Sequence, residues 1–191
     1  VRDGGLNNAP LKGGKSTLYE GGIRVPMIIA GPGIPANSHS KESVTGCDLF
    51  PTFCEWAGVD VEHSIDGSSL ASLLSGNQES LDRHVSSLLF HKPHYGRGPA
   101  QSPSTAIIAG DYKLIRDYEN GRHHLFNLAN DLGEKKDLGI SNPDRLKAMI
   151  AMMDERLSSV NAQIIGPNPD YDATAEPASR RGQRGGGQGG R

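Results

Sequence analysis

Residues 10–26 read Pro-Leu-Lys-Gly-Gly-Lys-Ser-Thr-Leu-Tyr-Glu-Gly-Gly-Ile-Arg-Val-Pro and run directly into the apolar segment Met27-Ile28-Ile29-Ala30. Four glycines, three cations, one carboxylate and one tyrosine stand between two prolines. The pattern is that of a loop delivering polar groups to the edge of a buried strand. That strand is predicted over Val25–Ala30, which is apolar and bounded by prolines and glycines. Gly13-Gly14 and Gly21-Gly22 permit positive φ and close backbone approach, which a Cβ would forbid. Lys15 is a cation on a compact loop, suited to an anionic oxygen, while Glu20 and Arg24 are placed to neutralise each other or to pin the loop to its neighbours. A solvated turn would also look like this, although loops carry function more often than cores do. Gly14-Lys15-Ser16 has the ending of a phosphate-binding P-loop. That motif fails here, because Ala9 occupies the position of its first glycine and Asn7-Asn8-Ala9-Pro10 stands where a strand is required.

The order PL-K-GGK-S-T-LYEGGIRVP, followed by MIIAGPGI, resembles the C-terminal half of the sulfatase family, within the alkaline-phosphatase-like superfamily. Arylsulfatases and N-acetylgalactosamine-6-sulfatase-like enzymes are the members it is most similar to. The resemblance implies that Lys15 is the lysine that contacts the sulfate, a catalytic and substrate-binding role in which an ammonium stabilises developing negative charge. It implies the family reaction as well: hydrolysis of a sulfate ester by a formylglycine hydrate derived from cysteine or serine, with Ca2+ and cations holding the sulfate oxygens and a histidine handling the leaving group's proton. In the family an Asp-Asn calcium pair lies a short way before this loop. Asp3 is either a drifted remnant of that pair or the pair precedes Val1. The second is favoured, since Asp3 is followed by Gly4 and preceded by Arg2, and no metal ligand is assigned in this chain. Val1-Arg2-Asp3-Gly4-Gly5 lacks an initiator methionine and begins mid-loop. The expectation is therefore the C-terminal part of a longer sulfatase, inactive alone and holding neither the formylglycine nor the calcium. Two alternatives stay open: a phosphate or phosphonate ester hydrolase of the same superfamily, and a non-catalytic module that binds sulfated glycans.

The length of 191 residues suits one medium domain or part of a larger protein. Hydrophobic residues at 35% look few until the 25 glycines are added, after which the share is ordinary for a globular chain. The net charge of -2 gives no global field directed at nucleic acid or an anionic membrane. Neither is expected as a partner, whereas a sulfated small molecule or glycan is. From Arg180 onward there are four arginines and no acid, which leaves a balance of -6 for the rest. No apolar run has the length of a transmembrane helix and no signal peptide is visible. A periplasmic or extracellular location is expected only from the family's habit, and nothing in the sequence sets an oligomeric state.

The fold class expected is α/β: the end of an alkaline-phosphatase-like mixed sheet domain plus a small C-terminal four-stranded antiparallel sheet with one packed helix. Residues 1–80 are assigned to the catalytic α/β domain, 81–160 to the sheet-and-helix subdomain, and 161–191 to a disordered tail rich in Pro, Gly and Arg. In the first unit a helix is predicted from Asp48, with Pro51 in its first turn, Leu49, Phe53, Trp56 and Ala57 on one face, and Gly58 as its stop. The resemblance implies that this helix packs on the large sheet. Cys47 and Cys54 lie seven apart, too far along one helix for a bridge, and are read as two small buried apolar residues. Asp66-Gly67-Ser68-Ser69-Leu70 opens a short helix that buries Leu70, Leu73 and Leu74 and ends at Gly76.

In the second unit the period changes to two, giving strands over Val85–His91, Thr105–Ala109, Tyr112–Asp117 and His123–Leu128. Turns fall at Gly110-Asp111 and Asn120-Gly121. A helix from Pro143 to Ser158 carries Leu146, Met149, Ile150, Met153 and Leu157 at helical spacing, the methionines as core filler. The cluster His91-Lys92-Pro93-His94-Tyr95-Gly96-Arg97-Gly98 places two histidines, a tyrosine and two cations on one loop, and His91, His94 and Arg97 are assigned as substrate-binding residues. His123 and His124 alternate across a strand as surface residues without a ligand partner. Leu125–Leu138, LFNLANDLGEKKDL, is similar to the signature that ends most sulfatases, with Asp131 and Glu134 fixing a turn and no catalytic role.

Overall fold

The computed structural model describes residues 8–95, 102–164 and 166. Four strands, β1 (Leu88–Lys92), β2 (Ser104–Ala109), β3 (Tyr112–Asp117) and β4 (His123–Asn127), form an antiparallel meander in the order β1-β2-β3-β4. The two short turns are built as the sequence predicts: Gly110 (φ 54°) and Gly121 (φ 68°) take the left-handed conformation that glycine adopts without strain. The four expected strands are present with ends displaced by up to three residues, the largest shift being at the start of β1, where Ser87 is buried.

Register sorts the side chains to two faces. Ile107 pairs with Leu114 and Leu114 with Leu125, which puts all three on one face. The long helix there, Pro143–Ser159, lays Met149, Met153 and Leu157 on them, four residues apart and all buried. Pro143 and Asp144 open this helix and Arg156 lies in its last turn, so sequence and macrodipole agree. On the opposite face Ala106, Ile115 and Phe126 form a second cluster, covered by Leu18 and Tyr19 of the Gly-rich stretch together with Phe90 and Leu128. The central strands are thus closed on both sides, which explains why β2 is buried at five consecutive positions rather than alternately.

The remaining elements are a one-turn helix at Glu20–Ile23, a 3-10 turn at Gly46–Asp48, a helix at Leu49–Ala57 and a one-turn helix at Ala71–Leu74. Numbered in chain order, the four α-helices are α1 (Glu20–Ile23), α2 (Leu49–Ala57), α3 (Ala71–Leu74) and α4 (Pro143–Ser159). Gly58 (φ 66°) ends α2 and Gly76 (φ 80°) follows α3, both as predicted.

Three expectations are corrected. Val25–Ala30 is extended but pairs with nothing among the described residues, and Val25 and Ile28 are 78% and 92% exposed. Phe50, Phe53 and Trp56 of α2 are each about half exposed, so the helix buries Pro51 and Thr52 instead of its aromatic face. An apolar pattern says that a segment is built for burial, not that its partner is at hand. Cys47 lies in the 3-10 turn, outside α2, and is exposed, while Cys54 is half-buried and both are free thiols.

Asp48 organises this part of the chain. Fully buried, it accepts hydrogen bonds from both terminal nitrogens of Arg83 (2.7 and 2.8 Å), from the Thr45 N–H (2.7 Å) and from the Ser68 N–H (3.0 Å). Although burial opposes ionisation, the bonds from Arg83, Ser68 and Thr45 prevail and hold its carboxyl below the usual aspartate range. Asp137, bonded by the N–H groups of Gly139 and Leu125 and by His124, is lowered in the same way against its burial. A depressed carboxyl contributes stability that is present above its unfolded value and lost as pH falls through its folded value. The urea midpoint should therefore decline as pH drops below about 4. In Arg83→Met the decline should be smaller, because Asp48 has lost the charge that depressed it; an unchanged acid limb would contradict this assignment.

Candidate functional site

The Gly-rich stretch is a double loop folded on itself. Gly13 (φ 74°) takes a conformation suited to glycine, and Gly21 and Gly22 serve the other purpose of glycine, close approach. A Cβ on Gly21 would meet the Gly13 carbonyl oxygen at 2.5 Å, and one on Gly22 would collide with the Thr17 and Gly14 carbonyl oxygens. The Gly21 N–H donates to the Lys12 carbonyl (2.8 Å), which sews α1 to the loop before it.

Between these seams the chain makes a tight turn. The Thr17 N–H donates to the Gly14 carbonyl (3.0 Å), and the Thr17 hydroxyl both donates to that carbonyl (2.8 Å) and accepts from the Gly14 N–H (3.2 Å). Lys15 and Ser16 are the two central residues, and both are exposed. Thus the lysine singled out from sequence stands at the tip of a rigidly closed turn.

The other cations of the stretch make their contacts away from the turn. Lys12 lies over the Tyr19 ring (4.2 Å from its centroid) and the Phe126 ring (5.2 Å), and donates to the Glu134 carbonyl (3.3 Å). Arg24 bonds to Glu20 Oε2 (3.3 Å), the pairing the sequence allowed.

Glu20 does more than meet Arg24. Its Oε1 accepts from the Nζ of Lys113 (2.8 Å), a fully buried lysine of β3, and the same ammonium lies 2.9 Å from Glu134 Oε1. The second oxygen of Glu134 accepts the Glu20 N–H (2.7 Å). Lys113, Glu20 and Glu134 form one buried ionic cluster that fastens the Lys15 loop to the sheet. Burial pushes the Glu134 carboxyl above the usual glutamate range, with Lys113 and the Glu20 N–H opposing. The sequence suggests a turn-fixing role for Glu134, and its backbone does turn there (φ 50°, N–H to the Asp131 carbonyl, 3.0 Å), but its side chain points into the core. Sequence reasoning missed Lys113. The available signal is that, two residues from Ile115, it falls on the same face as that core residue.

The second predicted cluster divides. His91 has both ring nitrogens engaged: Nδ1 with the Thr105 hydroxyl (2.7 Å) and Nε2 with the Gln163 carbonyl (3.0 Å). Thr105 is bonded in turn to the Tyr118 hydroxyl (2.8 Å), so His91 ends a chain of bonds that braces the sheet. His94 is exposed on the loop after β1, and Arg97 lies outside the described residues. Lys92, between them, donates to the Ser16 carbonyl (2.9 Å) and so links this loop to the Lys15 turn. His123 and His124 are half-buried and bonded, to Arg116 (3.0 Å) and Asp137 (2.8 Å), rather than free at the surface. A cleft of about 350 Å³ lined by His63, His84 and Asp82 among others contains none of Lys15, His91, Lys92 or His94.

With that geometry in view, the comparisons assign the class. Residues 14–163 match the family described as N-sulphoglucosamine sulphohydrolase, C-terminal, and the chain belongs to this family of sulfatase C-terminal regions. A sulfatase of Formosa agariphila is 34% identical over 160 residues, covering 78% of this chain and 29% of that protein. Arylsulfatase K of Xenopus laevis is 29% identical over 153 residues, covering 76% of this chain and 27% of the relative. Among solved structures, Ps i-CgsB in complex with k-i-k-neocarrahexaose superposes with a TM-score of 0.64 at 32% identity, covering 80% of this chain and 33% of its own. The chain therefore spans about a third of the length of the proteins it matches. The expected antiparallel sheet with one helix belongs to a region shared with sulfatases.

Replacing Lys113 by methionine would leave two buried carboxylates with only the half-exposed Arg24 for compensation. Urea unfolding at neutral pH should show a loss of about 3–5 kcal/mol. The loss should shrink as pH falls toward 5, because carboxylates raised by the missing cation take up protons in the folded state; a pH-independent loss would mean that packing, not charge, is what Lys113 supplies.

Proposed function

We propose that this chain is the C-terminal part of a sulfatase that hydrolyses sulfate esters of small molecules or glycans. In this reading Lys15 is the ammonium that holds the sulfate, and His94, with Arg97 three residues on, contacts the rest of the substrate. The observation that carries it is Lys15 at the tip of a closed turn, clamped from below by the Glu20–Lys113–Glu134 cluster. A cation whose backbone is fixed before the substrate arrives needs little reorganisation as negative charge develops on the oxygens around the reacting sulfur. His91 is assigned to bracing the sheet instead of binding substrate, since both its nitrogens are already bonded.

Calcium and formylglycine belong to this proposal only as groups carried by the rest of a family-length chain. Among the described residues no group of three or more His, Cys, Asp or Glu is placed to hold a metal ion. The buried carboxylates Glu20, Glu134 and Asp48 are taken up by Lys113, Arg24 and Arg83. These residues do not fit a calcium ion. Further support for a missing partner region comes from the exposed Val25, Ile28, Phe53 and Trp56, an apolar surface of the kind that other protein normally covers. No helix among the described residues is long and apolar enough to cross a membrane. A periplasmic or extracellular location is part of the same proposal, by the family's habit.

The test has two arms. The purified 191-residue chain should not turn over 4-nitrophenyl sulfate, and turnover by it would overturn the assignment to part of a site. A polypeptide extended through the upstream reading frame should prefer 4-nitrophenyl sulfate to 4-nitrophenyl phosphate, and Lys15→Ala should lower kcat by about 10²–10³. A preference for phosphate, or an unaffected variant, would refute the sulfatase reading or the role of Lys15 respectively.

A further inference from the structure

The turn that carries Lys15 contains an unusual residue. Of its two central positions only the second, Ser16, has positive φ (72°). This is the pattern of a type II turn, whose third residue is ordinarily glycine because a Cβ there is strained. Ser16 is exposed, so packing does not demand a side chain. Its hydroxyl makes no hydrogen bond to another described residue, so capping does not demand one either. A side chain held in a strained conformation, whose hydroxyl makes no bond among the described residues, points to a use outside the chain.

The carbonyl of the same residue receives the ammonium of Lys92 at 2.9 Å. Lys92 closes β1, where it pairs with Ser104, and is half-buried. Burial pushes its pKa below the usual lysine value, with Asp117 partly opposing. An ammonium has three N–H donors, and one is spent on Ser16. Two lysines and a hydroxyl-bearing residue therefore meet at the tip of the turn, within two successive residues and one strand end. None of the three is an acid, and together they suit an oxyanion with several oxygens.

We infer that Ser16 and Lys92 are ligands of the same sulfate group as Lys15, the hydroxyl and the second ammonium binding oxygens that Lys15 does not reach. This rests on the assignment of Lys15 to sulfate. It makes the loop after β1 part of the anion site through Lys92, a residue that the spacing of the histidines does not single out. It also explains why serine occupies a position where glycine would be less strained.

Titration of the full 191-residue chain with sodium sulfate against sodium chloride of equal ionic strength, followed by amide NMR shifts, tests it. Sulfate-specific shifts are expected at residues 14–17 and 88–92. Ser16→Gly and Lys92→Met should each weaken sulfate binding about tenfold, and Lys92→Arg should restore part of the loss. Ser16→Gly is the decisive variant, because it relieves the positive φ. Its melting temperature should not fall, so a loss of affinity there belongs to the hydroxyl and not to misfolding. Ser16→Gly binding sulfate as tightly as the parent chain, or Lys92→Met doing so, overturns the inference. If Lys15→Ala loses binding while both other variants keep it, this inference alone fails. If Lys15→Ala binds unchanged, or the parent chain shows no sulfate-specific shift, the assignment of Lys15 fails with it.

Discussion

The buried ammonium of Lys113, held between the carboxylates of Glu20 and Glu134, is the interaction on which the rest of the arrangement depends. Isolated, any one of these charges would be strongly disfavoured in the interior. Together, and with Arg24 on the outer oxygen of Glu20, they balance. Because Glu20 belongs to the Gly-rich stretch, Lys113 to the sheet and Glu134 to the turn after β4, the cluster can form only when three separate parts of the chain are in place. It therefore acts as a register pin more than as a source of stability, since a buried ion pair is often no better than well-packed apolar groups.

The position of Lys15 follows from this pin. Leu18 and Tyr19 pack on Phe126 and its neighbours, α1 follows at once, and the close approach of Gly21 and Gly22 to the carbonyl groups of residues 12–17 leaves the turn at 14–17 no room to shift. The sheet is then best seen as a platform with two occupied faces, α4 below and the lysine-bearing loop above. Segments on either side of residue 80 are bonded to one another, Arg83 with Asp48 and Lys92 with Ser16.

The surface has a complementary feature. Residues 25–30 and the aromatic side of α2 carry the composition of interior elements, yet they face outward. The chain spans about a third of the length of its sulfatase relatives, and in the proposed reading these residues and the turn at Lys15 are one wall of a larger structure.

Local signals were sufficient for much of this. The alternating strands from β2 to β4, the glycine turns at 110 and 121, the helical spacing of Met149, Met153 and Leu157, and the Gly-rich stretch with Lys15 at its centre were all readable from residue order, because periodicity and turn chemistry act over a few residues. The tertiary structure alone decided the rest. Nothing in a strand reading of Tyr112–Asp117 says that Lys113 will be buried, because a lysine's burial depends on carboxylates 93 positions before it and 21 after it. The contribution of His91 was likewise decided by Thr105 and Gln163, and that of Lys92 by Ser16. Sequence determined which residues could bind an anion or enter a core. Folding decided which of them the protein had already used for its own bonds, since a hydrogen bond or ion pair between distant residues depends on where the fold brings them and not on their own neighbours in the chain.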